Sequence, residues 1–169
     1  GVEYLCGAPT VLSFIINTDS VHVKKLNGRV KLMTAAAPPP AKILEQIEKC
    51  GFDVTHVYGL TEVYGPAVIC KWKDEWNKLG TSEKANLKSR QGVSYLVQED
   101  LKVVNSETQK EVRHDGNELG EVLLRGNITM KGYLEDEDAT KKAFQDGWFK
   151  TGDLGLIDKD GYIKITGRI

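Results

Sequence analysis

Apolar residues recur at helix-like and strand-like spacing in the first half of the chain and predict alternating strands and helices. The predicted elements are a helix over 9–17, a strand over 29–34, a helix over 40–49, a strand over 52–58, a short strand over 68–72 and a polar helical stretch over 73–89. In the second helix Ile43, Leu44 and Ile47 lie at helical spacing, and Gly51 ends it. A strand, helix, strand order at short intervals indicates parallel strands that helices cover.

Beyond about residue 93 the pattern changes to short β-prone runs separated by turn signals. These runs lie at 101–104, 121–124, 154–157 and 162–165. One helix at 136–144 interrupts them, with acidic residues in its first turn and Lys141 and Lys142 near its end. The predicted fold class is therefore α/β: the C-terminal part of a parallel βαβ subdomain (1–92), followed by a small antiparallel β subdomain, a distorted barrel (93–169).

Composition narrows the class of protein. Hydrophobic residues make up 40% of the 169 residues and charged residues 28%, which is typical of a globular domain. The net charge of -1 gives no overall positive potential that would attract nucleic acid. No apolar run is long enough to cross a bilayer. Cys6, Cys50 and Cys70 lie far apart with no CxxC pair, so we expect free thiols in an intracellular, reducing compartment rather than a metal or redox site.

The segment Tyr58-Gly-Leu-Thr-Glu62 directly follows the second strand of the βαβ unit, where open α/β sheets bind ligands. The tyrosine offers a flat ring, Gly59 permits close backbone approach, Thr61 offers a hydroxyl and Glu62 a hard carboxylate suited to Mg²⁺. Such a segment can contact a nucleotide along its length, from the base to the phosphates. A plain strand-to-loop turn with an exposed Thr-Glu pair is the alternative interpretation.

Further along the chain, Trp148–Leu154 is predicted to follow a helix and precede a strand. Asp153 next to Gly152 could accept two hydrogen bonds, as a ribose diol requires, although an aspartate that caps a tight turn is the alternative. Arg168 could reach the same ribose or lie exposed at a strand end. The runs 120–126 and 130–133 favour a structural role, with glycines for turns and close strand crossing.

In order and spacing, these segments resemble the AMP-binding core motifs of the adenylate-forming superfamily, which includes acyl-CoA synthetases, luciferases and peptide-synthetase adenylation domains. Their flanks are similar to those of plant acyl-activating enzymes of the acetate/butyrate/benzoate–CoA ligase type. The flanking runs are AAAPPP at 35–40, HVYGLTE at 56–62, YGP at 64–66, KW at 71–72, EW at 75–76, RQG at 90–92 and GWF at 147–149. The resemblance covers essentially the whole chain, and several motifs in order are more specific than any one.

The resemblance implies a role for each matching residue. Tyr58 would stack near adenine, Thr61 would contact the α-phosphate, Glu62 would hold Mg²⁺, and Asp153 with Arg168 would bind the ribose hydroxyls. The residues implied to surround the nucleotide are Ala35, Ala36, Ala37, His56, Tyr58, Gly59, Leu60, Thr61, Asp153 and Arg168. His56 has a packed structural histidine as its alternative, and Ala35 stands where a glycine is expected. One bound AMP would touch Tyr58 and Asp153, so both should face one cleft.

The implied reaction forms an acyl-adenylate from Mg·ATP and a small carboxylic acid, and the thiol of coenzyme A then displaces AMP. No side-chain nucleophile is needed for either step, and no nucleic-acid partner or transmembrane segment is expected. The chain begins and ends like an internal fragment, without the phosphate loop and the C-terminal lid, and alone should be inactive. A non-catalytic nucleotide-binding module and a luciferase-like or carrier-loading enzyme are the alternatives. The acid, the oligomeric state and the choice between cytosol and peroxisome remain open.

Overall fold

The computed structural model describes residues 1–18, 26, 28–36 and 39–169, which fold as two compact units. The first unit comprises Gly1–Val57 and Cys70–Gln91, and the second comprises Tyr58–Ile69 and Gly92–Ile169. Residues 58–69 therefore group with the second unit, whereas the sequence suggested one boundary after residue 92. The functional assignment of the two predicted domains stays a prediction.

Three parallel strands and three α-helices form the first unit. The strands are β1 (Tyr4–Cys6), β2 (Val30–Thr34) and β3 (Phe52–Leu60), whose last three residues belong to the second unit, and the helices are α1 (Pro9–Ile16), α2 (Ala41–Lys49) and α3 (Thr81–Lys88). Strand β2 pairs in parallel with both β1 and β3, and its last residue Thr34 is in register with His56. The predicted parallel strands with covering helices are confirmed.

The core of this unit lies between the strands and the helices. It contains Leu12, Val30, Leu32, Leu44, Ile47, Phe52, Val54 and Ala85. Leu44 and Ile47 are fully buried, so the apolar positions that predicted α2 form its buried face. Nearby, the buried Lys88 of α3 pairs with Glu48 of α2 and with Asp53 of β3 at 3.3 Å. This ion pair therefore joins three elements of the unit.

Two predicted elements differ from the structure. The polar stretch after residue 73 forms a 3₁₀ turn (Asp74–Lys78) and then α3, because Leu79 and Gly80 are extended and interrupt a continuous helix. The strand expected at 68–72 is shifted and runs as β4 (Gly65–Ile69) in the second unit. Strand β1 was not predicted, because three residues carry too little periodicity to identify a strand.

Five strand pairs in the second unit are antiparallel. Its elements after β4 are β5 (Val93–Ser94), β6 (Asp100–Val104), β7 (Gly120–Arg125), α4 (Glu137–Ala143), β8 (Phe144–Gln145), β9 (Trp148–Ile157) and β10 (Ile163–Arg168). The main sheet has the order β10-β9-β7-β6, β8 pairs with β9, and β4 pairs with β5. The predicted antiparallel β subdomain is confirmed.

Apolar side chains from the strands and from the segments between them form the core of the second unit. The buried members are Tyr58, Val63, Ala67, Val68, Val103, Val112, Val122, Leu124, Phe149, Ile157 and Ile163. Gly120 permits a close strand crossing, since a Cβ there would lie 2.5 Å from the carbonyl oxygen of Val104. Asp136 caps α4 by accepting a hydrogen bond from the Ala139 N–H at 2.9 Å. The predicted helix at 136–144 is confirmed to within a residue at each end.

Two simpler observations complete the fold. None of the three cysteines forms a disulfide: Cys6 and Cys50 are exposed, and Cys70 is buried. Across the described ranges, none of the helices has both the length and the apolar character that crossing a membrane requires.

Candidate functional site

Tyr58 lies near the end of β3 with its ring in the core of the second unit, and only 8% of it is exposed. Its hydroxyl donates a hydrogen bond of 2.6 Å to Oδ2 of Asp153, 95 positions along the chain. Burial, and secondarily this bond, raises the pKa of Tyr58, so the hydroxyl remains a donor at neutral pH. Two residues that the sequence predicted for one site are thus in direct contact.

Asp153 is buried in β9, and both of its carboxylate oxygens have partners. Oδ2 accepts from Tyr58, and Oδ1 lies 3.1 Å from Nε of Arg168, whose side chain is largely exposed. The sequence placed Asp153 before a strand at 154–157, but β9 already begins at Trp148. That boundary was wrong because Gly152 adopts a left-handed φ of 71° inside a strand, which reads locally as a turn.

The backbone around Gly152 is held from both sides. On the β7 side, the Gly152 N–H donates to Oε1 of Glu121 at 3.1 Å, and the Thr151 hydroxyl donates to the Val122 carbonyl at 2.7 Å. On the β10 side, the Ile169 N–H donates to the Gly152 carbonyl at 2.9 Å. Both flanking strands shift register near this point, which accommodates the irregular conformation.

Glu121 is a residue of this site that the sequence reasoning missed. It was grouped with a structural glycine and apolar run, yet the residue is 7% exposed and its carboxylate accepts a backbone N–H beside Asp153. Lys150 lies 3.8 Å from its other oxygen. A glutamate inside an otherwise apolar strand was the available signal, because a buried carboxylate requires partners.

Thr61 and Glu62 begin a 3₁₀ turn (Thr61–Val63) between β3 and β4. The two strands approach so closely that a Cβ on Gly59 would lie 1.8 Å from the Gly65 carbonyl oxygen. Only glycine fits there. The close backbone approach that the sequence predicted at Gly59 therefore occurs between two segments of the protein itself. Thr61 is exposed and Glu62 is partly exposed, which leaves both polar side chains accessible. Leu60 packs against the core of the second unit.

Glu62 has an unexpected partner in Tyr133. The tyrosine hydroxyl donates to Oε1 of Glu62 at 2.9 Å, although the two residues lie 71 positions apart. Partial desolvation, then the hydrogen bond to Glu62, raises the pKa of Tyr133. The segment 130–133, for which the sequence favoured a structural role, therefore contacts the predicted metal ligand.

His56 lies in the first unit, and 1% of it is exposed. Its Nδ1 is 2.9 Å from the Arg90 carbonyl oxygen, which can only accept, so Nδ1 carries the proton and donates. Nε2 is buried without a hydrogen-bond partner among the described residues. Burial lowers the pKa of His56, and the neutral imidazole presents an unused acceptor at Nε2.

The small residues after β2 were predicted to line the adenine rim. Ala36 adopts a left-handed φ of 78°, so the conformation that favours glycine falls on Ala36 and not on Ala35, where a glycine was expected. Ala35 is half-buried and Ala36 is exposed. Ala37 lies outside the described residues.

No group of three or more histidine, cysteine, aspartate or glutamate side chains is arranged to hold a metal in the part of the chain that the structure describes. Glu62 is therefore a single carboxylate with one oxygen engaged by Tyr133. Mg²⁺ is commonly bound through one or two carboxylates together with substrate phosphates, and this donor set fits that mode of binding.

The chain belongs to the AMP-binding enzyme family, whose sequence model matches residues 1–134. Among curated relatives, it is 48% identical over 169 residues to a 2-methylpropanoate–CoA ligase of Humulus lupulus, with 99% of this chain and 30% of the relative covered. It is 42% identical over 167 residues to the peroxisomal trans-cinnamate:CoA ligase of Petunia hybrida, with 99% and 29% covered. The chain thus spans less than a third of the length of these plant relatives.

Solved structures agree with this assignment. O-Succinylbenzoate coenzyme A synthetase from Bacillus subtilis, in complex with ATP and magnesium ion, matches with a TM-score of 0.76 at 26% identity. The match covers 99% of this chain and 32% of that chain. The N-terminal domain of FACL13 from Mycobacterium tuberculosis matches with a TM-score of 0.75 over 96% of this chain and 38% of that one, also at 26% identity.

Proposed function

We propose that the chain is the nucleotide-binding part of an ATP-dependent carboxylate–CoA ligase. The observation that carries the proposal is the buried Asp153 carboxylate, which contacts both Tyr58 and Arg168. A turn-capping aspartate bonds within its own turn, whereas both partners of Asp153 come from other strands, β3 and β10. The plant relatives are named as CoA ligases, and a solved neighbour of similar fold was obtained with ATP and magnesium ion, which supports the assignment.

Asp153 and Arg168 are proposed to bind the ribose hydroxyls. A carboxylate has about four lone-pair positions, so Asp153 can keep its bonds to Tyr58 and Arg168 and still accept from a diol. Burial makes these bonds strong, because bulk water competes poorly for the carboxylate. The Tyr58 hydroxyl is proposed to anchor Asp153, and stacking of the Tyr58 ring near adenine stays a prediction. The contacts of Ala35, Ala36, Ala37, His56, Gly59 and Leu60 with the base stay predictions.

Thr61 and Glu62 are proposed to act at the phosphates. Thr61 is exposed at the start of the 3₁₀ turn, where its hydroxyl can donate to an α-phosphate oxygen. Glu62 would hold Mg²⁺ through the oxygen that Tyr133 leaves open. When bound, the ion neutralises negative charge on the phosphates.

The proposed reaction has two steps. A carboxylate oxygen of the acid attacks the α-phosphorus, the bond to pyrophosphate breaks, and an acyl-adenylate forms. The thiol of coenzyme A then loses its proton, its sulfur attacks the acyl carbon, and AMP leaves with the electrons of the broken C–O bond. The residues of this chain bind the ribose and the α-phosphate, which positions the nucleotide and stabilises the charge on the phosphate. They supply no nucleophile.

Substitution of the two carboxylates in the full-length protein tests the proposal. Asp153→Ala should weaken ATP binding by about 1–3 kcal/mol through lost hydrogen bonds to a charged acceptor, as measured by calorimetry. Glu62→Gln should lower ATP–pyrophosphate exchange by orders of magnitude. Asp138→Ala, on the exposed surface of α4, is the matched control and should change neither quantity. Wild-type ATP affinity in Asp153→Ala would refute the ribose assignment.

We also propose an intracellular, reducing location, because none of the three cysteines forms a disulfide and several relatives carry peroxisomal names. A fluorescent fusion of the full-length protein, imaged beside a peroxisomal marker, distinguishes cytosol from peroxisome. Accumulation in a secretory compartment would contradict the proposal.

A further inference from the structure

The loop between β7 and α4 contacts Glu62 at two different atoms. The Met130 N–H donates to the Glu62 carbonyl oxygen at 2.7 Å, which fixes the backbone of the glutamate. The Tyr133 hydroxyl donates to Oε1 at 2.9 Å, which fixes the side chain. One short segment therefore holds both the main chain and the carboxylate of a residue about 70 positions earlier in the sequence.

Tyr133 is itself held by α4. Its N–H donates to Oγ1 of Thr140 at 2.9 Å, and the Thr140 hydroxyl donates to the Asp136 carbonyl at 2.8 Å. Gly132 makes this approach possible, since a Cβ there would lie 2.7 Å from Cγ2 of Thr140. The position of the tyrosine is thus set by the helix and by the backbone, and not by contact with Glu62 alone.

A partly exposed glutamate without a partner would rotate among several side-chain conformations. The bond from Tyr133 engages Oε1 and leaves the lone pairs of Oε2 available in a defined direction. Mg²⁺ requires near-octahedral geometry, so a carboxylate held in one orientation binds it better than a rotating one. Groups that orient a metal ligand commonly change metal affinity by about 10–100-fold.

We propose that Tyr133 is a positioning residue that orients the Glu62 carboxylate for Mg²⁺. The proposal rests on the proposed function of Glu62 and extends it to a residue that does not touch nucleotide or metal. Tyr133 acts through one hydroxyl, so removal of a single oxygen atom tests it. Its ring and the brace to Thr140 remain in a phenylalanine variant.

The experiment measures binding of a non-hydrolysable ATP analogue to the full-length protein by calorimetry over a series of free Mg²⁺ concentrations. In Tyr133→Phe, the half-saturating Mg²⁺ concentration should rise about tenfold, the lower end of the range for groups that orient a metal ligand. Saturating Mg²⁺ should restore nucleotide affinity to within about twofold of wild type, because the ribose contacts are intact. Tyr64→Phe is the control, since this tyrosine lies two positions from Glu62 and is 90% exposed.

A double variant tests whether Tyr133 affects Mg²⁺ binding through Glu62. In Glu62→Gln, the further change Tyr133→Phe should shift the Mg²⁺ dependence by less than about twofold, because the carboxylate that it orients is gone. A full tenfold shift in that background would overturn the proposal, and so would an equal loss of affinity at every Mg²⁺ concentration. If Glu62→Gln shifts the Mg²⁺ dependence and Tyr133→Phe does not, the inference fails while the proposed function stands. If Glu62→Gln itself has no effect, the metal role of Glu62 fails.

Discussion

Tyr58→Phe removes one buried hydroxyl and leaves an aromatic ring of nearly the same shape in the core. The lost group is the donor of the 2.6 Å bond to Asp153, which joins the end of β3 to β9 inside the second unit. The ring should still fill its position among the apolar residues, so the variant isolates the hydrogen bond from packing.

The size of the effect follows from the surroundings of the bond. Hydrogen bonds to charged groups contribute about 1.5–3 kcal/mol, and the bond is protected from water because Tyr58 is 8% exposed and Asp153 6%. Asp153 keeps Arg168 at 3.1 Å in the variant, so its charge is not left alone and the cost stays below the upper limit. We expect the opening free energy of β9 to fall by about 2 kcal/mol, or about thirtyfold in its opening equilibrium.

Hydrogen–deuterium exchange of peptides from Trp148–Ile157 measures this opening locally in the full-length protein. The amides of β9 should exchange about thirtyfold faster in Tyr58→Phe. Tyr64→Phe removes the hydroxyl of a tyrosine that is 90% exposed and should leave the rates within about twofold of wild type. Equal rates in Tyr58→Phe and wild type would refute the claim that this bond stabilises β9.

The pH dependence of the same measurement has a defined sign. The pKa of Tyr58 is raised above its ordinary value of 10.0 by burial, so its contribution is complete below about pH 10 and is lost only as pH rises further. The ratio of the exchange rates of wild type and Tyr58→Phe, each corrected for the intrinsic pH dependence of amide exchange, should therefore stay constant between about pH 7 and pH 9. A ratio that approaches unity within that window would contradict the assignment of Tyr58 as the proton donor.

Two further predictions concern Glu121 and His56. Glu121→Leu leaves the Gly152 N–H without its acceptor and should weaken ATP binding, measured by calorimetry, by about 1–2 kcal/mol. Glu121→Gln retains an acceptor oxygen and should bind ATP within about threefold of wild type. Equal ATP affinities in the two variants would contradict this prediction. The pKa of His56 is lower in the folded protein than its value of 6.5 in the unfolded chain, so the unfolded chain binds the proton more readily. The folded state therefore keeps its full stability above about pH 6.5 and loses stability as the pH falls through the lowered folded pKa. His56→Gln should therefore lose less stability than wild type between about pH 7 and pH 5 in thermal unfolding, and an unchanged acid slope would refute the claim.

Local pattern was sufficient for most of the fold. The apolar spacing of Leu44 and Ile47 identified the buried face of α2, and the acidic first turn identified α4. The short strands after residue 93 were recognised as an antiparallel set because each is a β-prone run bounded by turn residues. Local pattern failed at β9, where a left-handed Gly152 interrupts the pattern although the strand continues. Neighbouring strands supply the hydrogen bonds that carry a strand through such a residue, and a local sequence window does not contain them.

The sequence by itself determined the chemistry available to the protein: an aromatic ring at Tyr58, a hard carboxylate at Glu62 and an acceptor at Asp153. Tertiary structure alone decided which groups meet. The bonds Tyr58–Asp153, Tyr133–Glu62 and Gly152–Glu121 join residues 95, 71 and 31 positions apart. Helical and strand periodicity reports which face of an element is buried, but not which distant polar atom lies opposite it, because that depends on strand order and register. Glu121 and Tyr133 were therefore recognised as partners of the site only in the folded chain.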